Sequence, residues 1–231
     1  MKPLDYFFDT PSSGEGHFPQ KFYIFLSGLV RVVFGLLFRY KAYDLDKLKE
    51  LPPGTGFILA GNHRSYLDPV FLIPLLRPRH IRFIGKEEFF TLHPLVSRLA
   101  AWVGVFPVRR NTADMTAIKR AVRMLKRGEV LGIFPEGTRI RLEGQEATYH
   151  EGIALFASLA KAPVVPVRLW NTDKIQPAGK RFFRCPKVIL RFGEPLSIEE
   201  EPFLSLSKDE RHTAFTNEVM RRVYALELPK V

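Results

Sequence analysis

The chain has 231 residues, and its 35 lysines and arginines against 24 aspartates and glutamates leave a net charge of +11 at pH 7. Such a chain favours anionic partners: nucleic acid, an anionic membrane face, or phosphorylated and acidic substrates. Hydrophobic residues make up 46% of it, enough for a sizeable core in one α/β domain with an appendage, and the single cysteine, Cys185, excludes an internal disulfide and suits a reducing compartment. There is no internal repeat and no low-complexity tract.

At the N-terminus, Leu4, Tyr6, Phe7 and Phe8 form a small aromatic cluster, and Ser12-Ser13-Gly14-Glu15-Gly16 reads as a turn or flexible link. The run from Phe22 to Tyr40 is almost wholly apolar, with Arg31 its one full charge before the end. It approaches the roughly 20 residues that a spanning helix needs. A central arginine costs about 2.5–3.5 kcal/mol on insertion while each Leu, Ile, Phe or Val returns about 0.3–0.6, so insertion is not forbidden. Gly28, Arg31, Gly35 and Arg39 recur at steps of three and four, on one helical face. That narrow small-and-basic stripe favours a helix, about residues 21–40, lying in the membrane interface or docked by its glycines, over one that spans; a buried core helix is the plainer alternative. Asp5, Asp9 and Glu15 spoil the basic start of a cleaved signal peptide. The chain is thus expected to divide into an N-terminal membrane-associated segment, 1–41, and an α/β domain, 42–231. Removing residues 1–40 is expected to weaken membrane association more than it unfolds the domain.

Beyond that segment, residues 40–51 read as a short strand or turn with a charged helical tail, closed by Pro52-Pro53-Gly54. Residues 56–61 and 81–85 are predicted strands, with a helix at 70–76 between them. An apolar helix follows at 94–102, and a short strand at 104–108 leads into Arg109-Arg110. The clearest helix is 111–127. Asn111 and Asp114 approximate a capping pair, Ile118, Ala121, Val122 and Leu125 form its buried face, and Gly128 stops it. Its other face carries Lys119, Arg120, Arg123, Lys126 and Arg127, either merely solvated or turned to a membrane or acidic partner. A strand at 129–134, a charged loop at 140–150, a helix at 152–161, strands at 163–169 and 187–192, and a C-terminal helix at 207–226 complete the pattern. Strands alternating with helices predict an α/β fold with a mostly parallel central sheet covered by helices on both faces. In such sheets ligands gather at the carboxyl ends of the strands, and His63, Arg110 and Arg139 all fall just past predicted strand ends.

Two turns carry the chemistry. The first is Asn62-His63-Arg64-Ser65-Tyr66-Leu67-Asp68-Pro69, between a predicted strand and helix. An imidazole titrates near neutrality, and a nearby carboxylate can fix its tautomer and favour the imidazolium formed when it takes a proton. The plainer reading makes Asp68 an N-cap, with Pro69 first in the helix and His63 a polar residue at a strand end. The second turn is Phe134-Pro135-Glu136-Gly137-Thr138-Arg139. Its arginine offers a planar fork suited to phosphate and its glycine allows close backbone approach; alone, it is equally a structural loop with Glu136 paired to Arg139.

Taken together, these turns resemble the glycerophospholipid acyltransferase family, most closely its 1-acyl-sn-glycerol-3-phosphate acyltransferases. The resemblance covers four ordered blocks across roughly residues 54–198. They are the His-x4-Asp pair His63 and Asp68; Gly104-Val105-Phe106-Pro107-Val108-Arg109-Arg110, with the family arginine at Arg110; Phe134 to Arg139; and Val164-Val165-Pro166-Val167. Ile140 stands where members commonly have serine, and His150 near where they often have lysine; both bear on the fine shape of the acceptor site.

The resemblance implies transfer of a fatty acyl group from acyl-CoA or acyl-carrier protein to the sn-2 hydroxyl of lysophosphatidate, giving phosphatidic acid. His63 is then the general base and Asp68 its orienting partner. Arg110, Arg139 and Lys86 hold the acceptor phosphate, and Glu136, beside Gly137 and Thr138, binds the glycerol or braces Arg139. No acyl-enzyme is implied, in keeping with the absence of a G-x-S-x-G elbow, and no cofactor is expected. No metal is expected either, since His17, His63, His80, His93, His150 and His212 are scattered without an H-E-x-x-H motif. The expected partners are the membrane lipid, the acyl donor and an anionic membrane surface, not nucleic acid, and the expected location is the cytoplasmic face of a membrane. The basic cluster of Lys174, Lys180, Arg181, Arg184 and Lys187 suits CoA phosphates or an acidic carrier protein, or is ordinary surface charge. Two rivals remain: a member of the same family with another lysolipid acceptor, and a non-catalytic basic module that binds membrane or nucleic acid.

Overall fold

A computed structural model describes residues 8, 20–77, 79–91, 93–109, 114–139, 148–177 and 182–229. Its centre is strand β2, Phe57–Gly61, buried at every position. Successive side chains of a strand point to opposite faces, and β2 feeds two cores. Ile58 and Ala60 enter one, and Phe57 and Leu59 the other. Complete burial of a side chain such as Phe57, Ile58 or Leu59 contributes about 1.5–3 kcal/mol, so this strand is apolar on both faces.

Around β2 lie β1 (Lys41–Tyr43), β3 (Ile81–Lys86), β4 (Val105–Val108), β5 (Val130–Ile133), β6 (Val164–Trp170) and β7 (Ile189–Phe192). The order across the sheet is β1-β7-β6-β2-β5-β3-β4. The five strands from β6 to β4 are mutually parallel, whereas β7 runs antiparallel to β6 and carries β1 parallel to itself. Helices cover both faces, as the pattern predicts. On one face, α3 (Pro94–Trp102), α4 (Met115–Lys126), α5 (Gly152–Ala160) and α6 (Lys208–Ala225) pack through residues such as Ala101, Ala121, Ile153 and Phe215. On the other, α1 (Gln20–Phe38) and α2 (Asp68–Leu72) contribute Tyr23, Phe38, Phe71 and Leu72. After α2 the chain tightens into a 3-10 turn, Ile73–Leu76, where Pro74 has no N–H with which to continue an α-helix.

Two local expectations need correction. Helix α4 begins at Met115, not at residue 111, and Asp114 is its N-cap: the carboxylate accepts from Ala117 N at 3.0 Å and from Arg109 N at 3.1 Å. Asn111 lies outside the described residues. Arg120 is not on the solvated face; it is buried, next to Ala121 in the chain and one turn from Ala117 and Met124, with its guanidinium 5.2 Å from the Phe8 ring. Ile118 and Val122 take the half-buried flank. The long apolar stem of arginine allows this position.

Helix α1 is long and apolar enough to cross a membrane, yet only 17% of Lys21–Phe38 is buried, so it is no core helix. It docks through Tyr23, Ser27, Phe34 and Phe38, whose phenylalanines lie 4.9 and 5.2 Å from the Phe71 ring. The glycines are not the docking line: Gly28 faces Arg77 and Gly35 faces open space. Aromatic rings bury more apolar area than glycines can, so they set the orientation. The opposite side of α1 exposes Phe25, Leu29, Val32, Val33, Leu36 and Leu37.

Candidate active site

Parallel strands end on the same edge of a sheet, and that edge carries the site. Asn62, the first residue past β2, is clamped to β6: its side-chain amide donates to Leu169 O at 3.0 Å and accepts from Leu169 N at 2.8 Å. The chain then turns, and Asp68 returns as the first residue of α2. Its buried Oδ2 accepts from His63 Nδ1 at 2.9 Å, from Arg64 N at 2.7 Å and from Ser65 N at 2.8 Å. The N-cap reading of Asp68 therefore gives way. Leu67 precedes the helix, and the carboxylate reaches back to the turn rather than forward into the helix.

With Nδ1 held by a carboxylate, the other ring nitrogen, Nε2, is the one left to exchange a proton. The His63 ring stacks on Phe134 at 4.4 Å and 19°, and its side chain keeps 18% of its surface open to solvent. It is oriented but not walled in.

The second turn follows β5. Gly137 N donates to Phe134 O at 2.9 Å and Thr138 N to Glu136 O at 2.6 Å. Gly137 adopts φ +61°, and a Cβ there would lie 2.3 Å from the His150 ring, so both conformation and contact call for glycine. His150 N in turn donates to Pro135 O at 2.8 Å. His150 thus packs over the turn.

Glu136 is buried, with a different partner on each oxygen: His63 N donates to Oε2 at 2.9 Å, and the Tyr224 hydroxyl donates to Oε1. Burial pushes its pKa up, against the hydrogen bonds from Tyr224 and His63 and the charge of Arg64. Burial and the Glu136 carboxylate likewise push the Tyr224 phenol up, and the same two causes raise Tyr149. Glu136 therefore serves the His63 turn instead of bracing Arg139.

The Arg139 guanidinium lies over the Tyr66 ring, 3.3 Å from its centre, and its Nη1 is buried with no hydrogen-bond partner. Cation–π stacking stabilises a guanidinium without using its donors. Because Tyr66 belongs to the His63 turn, this contact joins the two motifs.

Of the remaining candidates, Thr138 and Lys86 lie along the same edge. Thr138 is exposed beside Arg139. Lys86, exposed, closes β3 two strands from β2, about 10 Å across the sheet at the usual strand spacing. Arg110 lies outside the described residues; Arg109, before it, pairs with Glu87 at 3.1 Å. Among the described residues, no group of three or more His, Cys, Asp and Glu is placed to hold a metal ion.

Sequence reading missed Tyr224 and the anchoring roles of Asn62, Tyr66 and Phe134. The last three stand within the motifs, but their partners do not. Tyr224 is one more half-buried tyrosine near the end of an amphipathic helix, without any local signal.

Fold and turns together define an α/β enzyme domain in which a tautomer-fixed imidazole and a guanidinium share the carboxyl edge of a parallel sheet. The chain belongs to the acyltransferase family, whose model matches residues 43–170. It is 30% identical over 205 residues to a 1-acyl-sn-glycerol-3-phosphate acyltransferase of Bacillus subtilis, covering 89% of this chain and 96% of that one. It is 28% identical over 187 residues to the enzyme of the same name from Streptococcus pneumoniae, covering 78% and 65%. Its fold is similar to the crystal structure of PlsC, the 1-acyl-sn-glycerophosphate acyltransferase of Thermotoga maritima, with a TM-score of 0.70 at 24% identity over 92% of this chain and 83% of that one.

Proposed function

We propose that this acyltransferase moves a fatty acyl group from a thioester, acyl-CoA or acyl-carrier protein, to the sn-2 hydroxyl of 1-acyl-sn-glycerol-3-phosphate, giving phosphatidic acid. The observation that carries the reading is the His63–Asp68 pair beside Arg139. Nε2 is left to take the hydroxyl proton as the oxygen attacks the thioester carbonyl. The tetrahedral adduct then expels the thiolate, which takes the proton back from the imidazolium, so atoms and charge balance without an acyl-enzyme. Positioned proton transfer of this kind contributes typically about 10²–10⁴-fold.

The acceptor carries a phosphate, and the unpartnered Nη1 of Arg139 supports its placement there, because a buried donor without an acceptor costs about 1–3 kcal/mol. Lys86 and Arg110 are proposed to extend that cationic edge, with Gly137 and Thr138 lining the glycerol. The acceptor and product are membrane lipids. The exposed apolar side of α1, directly opposite its docked side, supports a helix lying in the interface of the cytoplasmic leaflet rather than spanning it.

The test is an acceptor panel: protein in detergent, labelled acyl-CoA, and lysolipids with different headgroups. Transfer to lysophosphatidate above the others is expected. Transfer only to another lysolipid would reassign the acceptor, and no transfer to any would end the proposal.

A further inference from the structure

Tyr224 sits near the end of α6, eighty-eight residues beyond Glu136, and reaches that carboxylate from outside both motifs. We propose that Tyr224 is a positioning residue for acyl transfer: its hydroxyl, acting through Glu136, fixes where the His63 backbone stands. This rests on the acyl-transfer reading above.

Among the described residues, three side chains anchor the His63 turn by hydrogen bonds. Asn62 ties its start to β6, Asp68 gathers the N–H groups of Arg64 and Ser65, and Glu136 takes the N–H of His63 itself. Only the third holds the backbone of the reacting residue, and it depends on a carboxylate with one donor at each oxygen. A buried carboxylate that loses one of two donors either finds another or takes a proton. Either change alters the hydrogen bond at His63 N.

Tyr224 is itself firmly placed. Arg168 Nη1, from β6, donates to Tyr224 O and, at 2.7 Å, to Leu226 O, while the guanidinium lies 5.0 Å from the Trp170 ring and 5.4 Å from the Tyr224 ring. Strand β6 thus holds the phenol that holds Glu136, and the same strand clamps Asn62. A tyrosine needed only for packing has no call to place its hydroxyl on a carboxylate buried beside the reacting turn.

Among the described residues, the groups facing Glu136 are His63 and Arg64 from the turn after β2, Tyr149 from the segment before α5, and Tyr224 from α6. Of these, Tyr224 and His63 N–H are its direct donors. Removing the phenol hydroxyl leaves burial less opposed, so the carboxyl holds its proton to higher pH.

The experiment measures kcat, KM and their pH dependence with acyl-CoA and lysophosphatidate for the full chain and for Tyr224→Phe, Glu136→Gln, the double variant and Val223→Ala. The His63 backbone amide is followed by NMR in the same set. Tyr224→Phe is expected to lower kcat roughly 10-fold with acceptor KM unchanged, to move the acid limb of kcat to higher pH and to shift the His63 amide signal. The double variant is expected to be no worse than Glu136→Gln alone, because the two groups act in one chain of contacts. Val223→Ala is expected to lower the melting temperature while leaving the limb and the amide in place. Wild-type kcat and pH profile in Tyr224→Phe would overturn the proposal. So would a loss that adds in full to that of Glu136→Gln, or an equal shift of the limb in Val223→Ala. A wild-type chain that transfers nothing defeats the acyl-transfer reading instead, and the amide shift still reports on the contact.

Discussion

His63 Nδ1 and Asp68 Oδ2 stand 2.9 Å apart, and the same oxygen gathers the next two backbone N–H groups of the turn. The carboxylate therefore orients the ring and shapes the loop that carries it. Asp68→Asn replaces an acceptor with a group that presents either oxygen or NH₂ to the ring, and turnover is expected to fall roughly 10²–10⁴-fold. His63→Ala is expected to cost at least about 100-fold while binding to anionic vesicles persists. Turnover in labelled acyl-CoA assays and vesicle sedimentation check both; a His63→Ala protein at wild-type rate would remove the imidazole from the mechanism.

Gly137 is held in a left-handed conformation under the His150 ring. Gly137→Ala introduces backbone strain of about 1–3 kcal/mol and a collision with that ring. Thermal unfolding should register the loss, with turnover falling alongside. Adding His150→Ala removes the collision and not the strain, so only part of the stability should return. Full recovery, or an unaltered melting temperature in the single variant, would contradict this account of the turn.

His80 is fully buried, with its pKa held well below the usual 6.5 by burial first and the charge of Arg82 second. In the unfolded chain the imidazole takes a proton as pH falls below about 6.5, while the folded protein keeps it neutral. The unfolded state then binds more protons, so stability should decline with falling pH, by at most about 1.4 kcal/mol per unit from this residue, until the folded pKa is reached. Urea unfolding at a series of pH values measures the slope. His80→Leu, similar in bulk, should flatten it between pH 6.5 and 5; an unchanged slope would exclude His80 as the source.

The exposed side of α1 is expected to act at a membrane. Phe25→Glu and Leu36→Glu change residues 67% and 77% exposed, so melting temperature should hold while binding to anionic vesicles weakens by about 10-fold or more. Deleting residues 1–40 is a poorer test than the sequence suggests. Tyr23 and Phe38 are part of the second core, and Tyr23 OH accepts from Ile81 N at 3.4 Å. The truncated domain is expected to lose stability as well as membrane binding. Equal vesicle binding by both point variants and wild type would place the membrane contact elsewhere.

The parts of the site that were readable in the sequence are those whose partners lie close along the chain. His63 and Asp68 are separated by one turn, and Glu136, Gly137 and Arg139 share another, so residue type and spacing carry the signal. The same holds for β2, whose uninterrupted apolar run implies burial on both faces. The misreadings fall where a neighbour comes from far away. Arg120 looks like a solvent residue until Phe8 covers it, and α1 looks glycine-docked until Phe71 is seen to receive Phe34 and Phe38.

By itself, then, the order of residues determined an α/β alternation, two reactive turns at strand ends and an apolar helix ahead of them, because propensity, periodicity and turn chemistry act over a few residues. Only the tertiary structure decided that Arg139 rests on Tyr66, that Asn62 is tied to β6, and that Glu136 spends its two oxygens on His63 and Tyr224. Each of those contacts joins segments far apart in the chain. Such contacts form only when the parallel sheet brings its carboxyl ends to one edge, where burial leads polar atoms such as the two Glu136 oxygens to find partners.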